Sequence, residues 1–365
     1  MKQKKYGIFI FLVLFNYSCQ FNKKPTAQIV SEDCLDCFAE NTLDADSSKT
    51  SCEASAALFV DGKLFFASDK PIPGTSSVFS YQFDNELDLN AIKHYRNYEL
   101  ETAIKYEDFS ILPDNKTILL STGFDRIKKD TNSWDRYNCV LYWDKNKPQN
   151  VQVLAKVDNK GVVSSVRLRP YFQKTLSSVK FPEGTPYFKI EGICAIPNNK
   201  LLFGVREKGA SYTDFEYIVE IISVSYFFEE GEMILKNDFE LVYKMDVKSA
   251  NISEPCALSS LEYDVENERL YALTTFELDD SDNGVGAYLW YISLEDFHKK
   301  KPLNLLKTKQ GETIKFSHKA EGLAIVDSKT LFIIHDDDKR ETLIFNKNKQ
   351  IKKAHQAAYS IVKLD

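Results

Sequence analysis

One phrase of about twenty residues returns along this chain, and no other feature restricts the possible fold as strongly. The stretches KIEGICAIPNNKLLFGVREKG and KAEGLAIVDSKTLFIIHDDDK contain Glu191 and Glu321 at the same place. Ten residues after each glutamate an apolar strand begins, and fifteen residues after it stands a charged residue, Arg206 or Asp336. Such a repeat predicts that one structural unit is built several times.

Three further stretches follow the same pattern and bring the number of copies to five. They are residues 106–126, aligned on Glu107; residues 52–70, aligned on Glu53; and residues 256–277, where Ser260 takes the place of the glutamate. Each copy reads as a short apolar strand, a polar turn and a second strand. The turns are rich in Asp, Asn and Gly, which tolerate positive φ or satisfy turn backbone groups themselves.

Each copy is followed by further segments in which β-branched and aromatic residues alternate with polar ones, as in half-buried strands. Third strands are predicted within 76–84, 138–145, 217–228, 287–296 and 340–348, and fourth strands within 91–100, 150–158, 238–247, 302–309 and 359–365. Four antiparallel strands per unit are typical of propeller blades. We therefore predict an all-β chain that forms a five-bladed β-propeller, with 162–187 as an insertion or a degenerate sixth blade.

The amino terminus has the pattern of an export signal. Three lysines precede an apolar run over residues 8–15, which is too short to span a bilayer. The pair Ser18-Cys19 resembles the lipobox of bacterial lipoproteins, in which the cysteine becomes the lipidated first residue. We predict a signal peptide over 1–18, a lipidated Cys19 with a flexible tether over 19–51, and a single propeller domain over 52–365. An ordinary secretory signal is the alternative.

Composition narrows the partners and the compartment. The formal net charge is −6, and charges of both signs are mixed without a basic block, which argues against nucleic acid. Six cysteines follow Cys19, and in an exported protein an even number favours disulfides. Cys34 and Cys37 are predicted to pair locally within the tether. The predicted location is a bacterial membrane, with the protein facing the periplasm or the cell surface.

The repeat also predicts a site. In a propeller the first strand of each blade lines a central channel, so Glu53, Glu107, Glu191 and Glu321 should form a partial ring of carboxylates. Four residues that follow second strands are candidates for the same channel mouth: Asp69, Lys70, Arg206 and Asp336.

Clustered carboxylates repel one another unless a cation compensates them, and Ca²⁺ prefers oxygen ligands. Glu107, Glu191 and Glu321 are therefore candidate metal ligands. The alternative is that the repeated glutamates bond backbone amides of the neighbouring blade. His318 and His335 are candidate general bases by residue type alone, and no set of catalytic residues is evident.

The phrases Glu191-Gly192-Ile193 and Glu321-Gly322-Leu323, with the strand endings LLFGVREKG and LFIIHDDD, resemble bacterial propellers grouped with the esterase-like phytases and their uncharacterised relatives. The resemblance implies a site at the channel mouth and phosphoester hydrolysis aided by Ca²⁺. The sequence departs from that pattern at Ser260, and it lacks an evident cluster of Lys and Arg for a polyphosphate.

Three functions remain open at this stage. The first is a lipid-anchored binding module of the cell envelope, whose partner is a small anionic ligand or an envelope protein. The second is a Ca²⁺-dependent phosphoester hydrolase of the esterase-like phytase type. The third is a propeller that binds or cleaves carbohydrate with two carboxylates as acid and base.

Overall fold

Five antiparallel sheets follow one another around a central axis in the computed structural model, which describes residues 24–43, 49–128, 131–279, 284–338, 342–345 and 348–365. The inner strand of each sheet contacts the inner strands of two neighbouring sheets, and these contacts close into a cycle. The prediction of a five-bladed β-propeller is confirmed. We number the blades from first to fifth in the order in which their inner strands occur.

The strands of the first three blades are given from the inner edge outward. The first blade has Ala54–Val60, Lys63–Ser68, Val78–Asp84 and two short outer strands, Glu86–Leu87 and Lys93–His94; the second has Tyr106–Ile111, Thr117–Thr122, Val140–Asp144 and Gln152–Val153; the third has Tyr187–Ile196, Lys200–Ser211, Asp214–Glu229 and the outer strands Glu232–Leu235 and Glu240–Met245.

The fourth blade has Ala257–Asp264, Arg269–Glu277, Val285–Ser293 and the outer strands Asn304–Leu305 and Lys315–Phe316; the fifth has Ala320–Asp327, Thr330–His335, Gln356–Leu364 and, outermost, Ala27–Asp36. Outside the blades, the described residues form two hairpins, Val157–Asn159 with Val162–Ser164 and Thr342–Phe345 with Asn348–Ile351. They also form three α-helices, Tyr98–Thr102, Arg169–Thr175 and Leu294–His298, and three 3₁₀ turns, Asp135–Tyr137, Val166–Leu168 and Val247–Ala250.

The two ends of the chain together form the fifth blade, so the prediction of a tether is wrong for residues 27–36. Strand Ala27–Asp36 pairs antiparallel with Gln356–Leu364 and completes the blade. Most of its side chains are exposed or half-buried, because it is an outermost strand, and its sequence is correspondingly polar. The folded domain therefore begins before residue 52.

The cysteines near the amino terminus also differ from the prediction. Cys37 forms a disulfide with Cys52, while Cys34 is buried and free, so the local Cys34–Cys37 pair is wrong. The disulfide joins the end of the fifth blade's outer strand to the start of the first blade. The predicted signal peptide and Cys19 lie outside the described residues. No helix within the described ranges is long and apolar enough to cross a membrane.

Two further segments are reassigned. The predicted third strand of the last unit, 340–348, falls partly on the hairpin Thr342–Phe345 with Asn348–Ile351, and residues 359–365 belong to the third strand rather than the fourth. Residues 162–187 are an insertion and not a sixth blade. Their helix buries Phe172 against Phe124, Phe188 and Phe203, with ring centroids 4.9–5.7 Å apart.

The glycine of the repeated phrase is explained by how closely adjacent blades approach. A Cβ on Gly322 of the fifth blade would lie 2.7 Å from the backbone nitrogen of Ala57 in the first blade. A Cβ on Gly192 would lie 3.1 Å from the side chain of Leu261 in the fourth blade. At Gly322 the backbone of the neighbouring inner strand leaves no room for a side chain, and at Gly192 a Cβ would require Leu261 to move by a few tenths of an ångström.

Candidate functional site: the channel mouth

All five inner strands begin at the same face of the ring, and all five second strands end there. In each blade the first residues of the inner strand pair with the last residues of the second strand, as Tyr106 does with Thr122 and Ala320 with His335. We call this face the channel mouth. Residues from widely separated parts of the sequence meet there, as the repeat predicted.

Each inner strand carries a β-bulge beside the mouth. The bulged residues, which have no partner in the second strand, are Ser55, Glu107, Glu191, Ser259 and Glu321. A bulge re-aims the side chain at the irregular position. The repeated glutamate is therefore the bulge residue of three blades, and serines take its place in the first and fourth. Sequence alignment placed Glu53 and Ser260 at this position, but Ser260 is one residue after the bulge of its strand and Glu53 is two residues before that of the first blade.

A lysine stands two residues before each bulged glutamate, and sequence reasoning missed it. Lys105 Nζ lies 3.4 Å from Glu107 Oε1, Lys319 Nζ lies 3.0 Å from Glu321 Oε1, and Lys189 contacts Glu191. The signal was a Lys-x-Glu spacing in three of the five copies. The mouth therefore holds the cluster of cations that was not evident from sequence.

Ion pairs continue around the mouth from blade to blade. Lys105 lies 3.4 Å from Asp69, Lys189 lies 3.3 Å from Glu107, and Lys70 contacts Glu53. Arg206 lies 3.4 Å from Glu191 and 3.7 Å from Glu277. Lys319 lies 3.3 Å from Glu277 and 3.7 Å from Asp338. We call these eleven residues and Glu321 the charge circuit. All of the predicted site residues except Asp336 belong to it, and Asp336 lies beside Glu53 and Asp338.

The glutamates beside the inner strands are buried more deeply than the lysines that contact them. The side chains of Glu107 and Glu191 are 1–2% exposed, whereas those of Lys105 and Lys189 are 13–15% exposed. Lys70 is more open still, with half of its side chain accessible. Glu53, Glu107, Glu191 and Glu321 thus form a buried lower layer, and the lysines that contact them lie between this layer and solvent. The carboxylates of Asp69, Glu277 and Asp338 are more exposed than Lys105, Lys189 and Lys319, and Arg206 is as buried as the glutamates.

The titration behaviour follows from this arrangement. Burial raises the pKa of Glu107 well above its usual range, although Lys189 and Lys105 act in the other direction. Burial alone would lower the pKa of Lys189 and of Lys319, but the adjacent carboxylates prevail and raise both. The lysines therefore stay charged at neutral pH although they are largely buried.

One corner of the mouth, between the fifth and first blades, is richer in acid than the rest. Carboxylate oxygens of Glu53, Asp336 and Asp338 lie within 4.8 Å of one another. Burial raises the pKa of each of the three carboxyls, and neighbouring carboxylates add to the effect. These are the residues that could hold a metal ion in the described part of the chain.

The predicted metal ligands Glu107, Glu191 and Glu321 do not form such a group among the described residues. Each contacts a lysine, so ammonium groups occupy the position that the prediction assigned to a metal. The alternative prediction, that the glutamates bond backbone amides of a neighbouring blade, applies to a different residue. Asp108 Oδ2 accepts hydrogen bonds from the backbone N–H groups of Ile193 at 3.0 Å and Leu261 at 3.2 Å.

Aromatic side chains border the circuit at the third blade. The second and third strands of that blade extend past Arg206, and the guanidinium of Arg206 lies over the ring of Tyr217 with 5.4 Å to its centroid. Phe215 contacts Tyr217 and Tyr187 with ring centroids 5.4 and 5.7 Å away. The mouth thus offers an aromatic wall beside its charges.

The two candidate general bases are buried inside the fifth blade. His335 is hydrogen-bonded to Ser360 Oγ at 2.8 Å, and burial lowers its pKa to about 3. His318 contacts Asp337 Oδ2 at 3.1 Å. Both imidazoles are about 1% exposed or less, so neither is placed to exchange protons with a ligand at the mouth.

Comparison with known proteins adds solved structures but no family. No family model matches the chain, and no curated protein matches it. The PQQ-bound aldose sugar dehydrogenase of Streptomyces coelicolor aligns over 94% of this chain and 99% of its own, at 8% identity and a TM-score of 0.41. A GH93 α-L-arabinofuranosidase of Fusarium graminearum aligns over 92% and 98%, at 8% identity and a TM-score of 0.41.

The PQQ domain of a pyranose dehydrogenase from Coprinopsis cinerea aligns over 93% of this chain and 97% of its own, at 9% identity and a TM-score of 0.37. At such identities and scores, none of these likenesses carries information about the chemistry of this chain.

Proposed function

We propose that this protein is a ligand-binding module whose site is the channel mouth, and that its ligand is a small molecule with an anionic group. The observation that carries the proposal is the layering of charge. An anion that approaches from solvent can reach the ammonium groups of Lys105, Lys189 and Lys319, each 13–15% exposed, whereas the carboxylates of Glu107, Glu191 and Glu321 that contact them are 1–4% exposed. Those carboxylates keep the ammonium groups charged and fixed in place.

The cost of the circuit supports the proposal. Each ion removed from water costs several kcal/mol, and an ion pair restores this only with good geometry. A propeller mouth could be closed with apolar or neutral polar residues instead. Perturbed pKa values that cluster on one surface are more frequent at functional sites than elsewhere.

The test is a titration of the full chain with inorganic phosphate, glycerol phosphate and succinate, followed by calorimetry. We expect at least one of these anions to bind and Lys189→Met or Lys319→Met to weaken it about tenfold or more. Lys116→Met is the matched control, because Lys116 is exposed in a turn at the opposite face. Equal affinity in Lys189→Met, Lys319→Met and Lys116→Met would exclude the mouth as the site.

We also propose that the chain is exported and attached to a membrane through Cys19. The Cys37–Cys52 disulfide supports export, because disulfides persist in oxidising compartments. In a bacterial host, Cys19→Ser should abolish lipid labelling and move the protein from the membrane fraction to the soluble fraction. If labelling persists in Cys19→Ser, the lipid attachment site is elsewhere or absent.

A second candidate function is the Ca²⁺-dependent phosphoester hydrolase, and the acidic corner of Glu53, Asp336 and Asp338 is what favours it. Three carboxylates could supply several of the six to eight oxygens that Ca²⁺ takes, and the ion would polarise a phosphoryl oxygen. Hydrolysis of p-nitrophenyl phosphate that requires Ca²⁺ and is lost in Asp336→Asn would favour this function over binding alone.

A further inference from the structure

A cavity of about 530 Å³ lies away from the channel, between the outer edges of the second and third blades. Its size falls within the range of roughly 300 to 1,000 Å³ that is usual for small-molecule sites. Three segments line it: residues 151–156 after the third strand of the second blade, the helix Arg169–Thr175 with the turn before it, and residues 232–239 of the third blade.

The walls of the cavity are fixed by contacts that join the two blades. The hydroxyl of Tyr142 accepts a hydrogen bond from the backbone N–H of Met233 at 3.1 Å and donates one to the side chain of Gln152. Phe172, in the buried core, packs on Phe239 with ring centroids 5.6 Å apart. The site is therefore preformed, and binding a ligand would cost little conformational entropy.

An aromatic platform stands in one wall. The ring of Tyr171 stacks on that of Phe239 with centroids 5.1 Å apart and an interplanar angle of 18°. Tyr171 is nevertheless 38% exposed, so part of its ring is open to a ligand. Leu168 and Met233 supply a buried apolar surface in the same cavity.

The rest of the lining is polar and carries both signs of charge. Gln152 and Asn237 offer amide groups, and five charged residues also line the cavity: Glu99, Lys156, Arg167, Glu232 and Lys236. The side chains of these five make no ion pair with any residue in the described ranges. Their donors and acceptors are therefore available to a ligand.

We propose that this rim cavity, whose lining includes Tyr171, Phe239, Gln152 and Asn237, binds a saccharide. A sugar ring has a face of C–H groups that can lie on an aromatic ring and an edge of hydroxyls that both donate and accept hydrogen bonds. The open Tyr171 ring matches the first feature, and the mixed amide and charged groups match the second. This site is separate from the charged channel mouth.

The test is calorimetry of the full chain with xylotriose, maltotriose and digalacturonate, each at about 10 mM. We expect at least one to bind, Tyr171→Ala to weaken it about tenfold or more, and Tyr171→Phe, which keeps the ring, to retain most of the affinity. Tyr212→Ala is the control, because Tyr212 is 75% exposed at the tip of a third-blade hairpin and outside the cavity. The proposal is overturned if none of the three binds or if Tyr171→Ala binds as well as the native chain.

Discussion

At the scale of single residues, this chain buries ionisable groups in places where they lower stability. Glu262 on the fourth inner strand is the clearest case: it is 5% exposed, and its Oε2 has no hydrogen-bond partner among the described residues. Burial raises its pKa well above the usual range, and Asp108 and Asp264 add to the effect. The folded protein therefore holds a proton on Glu262 at pH values where the unfolded chain has released it.

We expect Glu262→Gln to increase the free energy of unfolding at neutral pH. In the native chain the raised pKa means that the folded state binds more protons than the unfolded state above about pH 4.3, so stability falls as pH rises through that region. The glutamine cannot ionise, and this part of the pH dependence should disappear. Urea denaturation at several pH values measures both effects.

Glu254→Gln is the control with the opposite sign. Burial alone would raise the pKa of Glu254, but hydrogen bonds, first among them that from Lys315, lower it to about 2. Its contribution to stability is present above the unfolded pKa and is lost as pH falls toward about 2. Glu254→Gln should therefore lower stability at neutral pH, and the same sign of change in both variants would contradict this account.

Lys70 decides whether the acidic corner can hold a cation. Its ammonium contacts Glu53, one of the three carboxylates of that corner, and so competes with a metal for the same oxygen. We expect Lys70→Met to bind Ca²⁺ about tenfold more tightly than the native chain, because one positive charge is removed from the corner. Terbium luminescence with Ca²⁺ competition measures this, with Lys116→Met as control. Equal affinities would mean that the corner is not a Ca²⁺ site.

At the scale of elements, the inner strands are held together across the channel by side chains rather than by strand pairing. Each inner strand has an unpaired edge toward the axis, and its N–H groups need partners. Asp108 of the second blade accepts hydrogen bonds from the N–H groups of Ile193 in the third blade and Leu261 in the fourth. Its Oδ1 also accepts a hydrogen bond from Ser260 Oγ at 3.1 Å. One carboxylate thus connects three blades.

We expect Asp108→Ala to lower the free energy of unfolding by about 3 kcal/mol or more, because it leaves two buried N–H groups and a hydroxyl without an acceptor. Asp108→Asn keeps one oxygen and should cost less. Ser110→Ala is the matched comparison: Ser110 Oγ accepts a single bond, from Ala195 N–H at 3.0 Å, and its loss should cost about 1 kcal/mol. Chemical denaturation that gives Asp108→Ala and Ser110→Ala the same stability would refute the three-blade role.

The sequence predicted inner and second strands well, because both are buried and carry the repeated phrase. It could not place the bulges, since a bulge depends on pairing with the second strand, and so Glu53 and Ser260 were aligned to positions held by Ser55 and Ser259. The lysines two residues before the glutamates form a Lys-x-Glu pattern that is present in the sequence. They were missed because the copies were aligned on glutamate alone.

At the scale of the whole molecule, the ring is closed by strands from opposite ends of the chain, and this is what local sequence patterns could not reveal. Residues 340–348 and 359–365 both alternate as strands do, and only a long-range pairing decides which lies in the blade. The partner of that pairing, Ala27–Asp36, is polar because it is outermost. Its role depends on a contact more than three hundred residues away.

The Cys37–Cys52 disulfide secures this closure. It joins residues 15 apart in sequence, and a loop of that length corresponds to about 3 kcal/mol of stabilisation through the unfolded state. We expect the double variant Cys37→Ser, Cys52→Ser to lose about that amount in urea denaturation. Dithiothreitol should destabilise the native chain to a similar extent and leave the double variant unchanged. Insensitivity of the native chain to reduction would contradict this prediction.

Two substitutions in Ala27–Asp36 test whether this segment is a strand that closes the ring or a flexible tether. Leu35 and Val30 both lie on Ala27–Asp36, but Leu35 is fully buried against the fifth and first blades, whereas Val30 is 51% exposed. We expect Leu35→Asp to cost several kcal/mol or prevent folding, because it places a charge in the core. Val30→Asp should stay within about 0.5 kcal/mol of the native chain. Circular dichroism and thermal denaturation measure both. In a flexible tether neither substitution would change stability. Equal stability of the two variants would therefore support the tether, and the ring would then have to close without the amino-terminal strand.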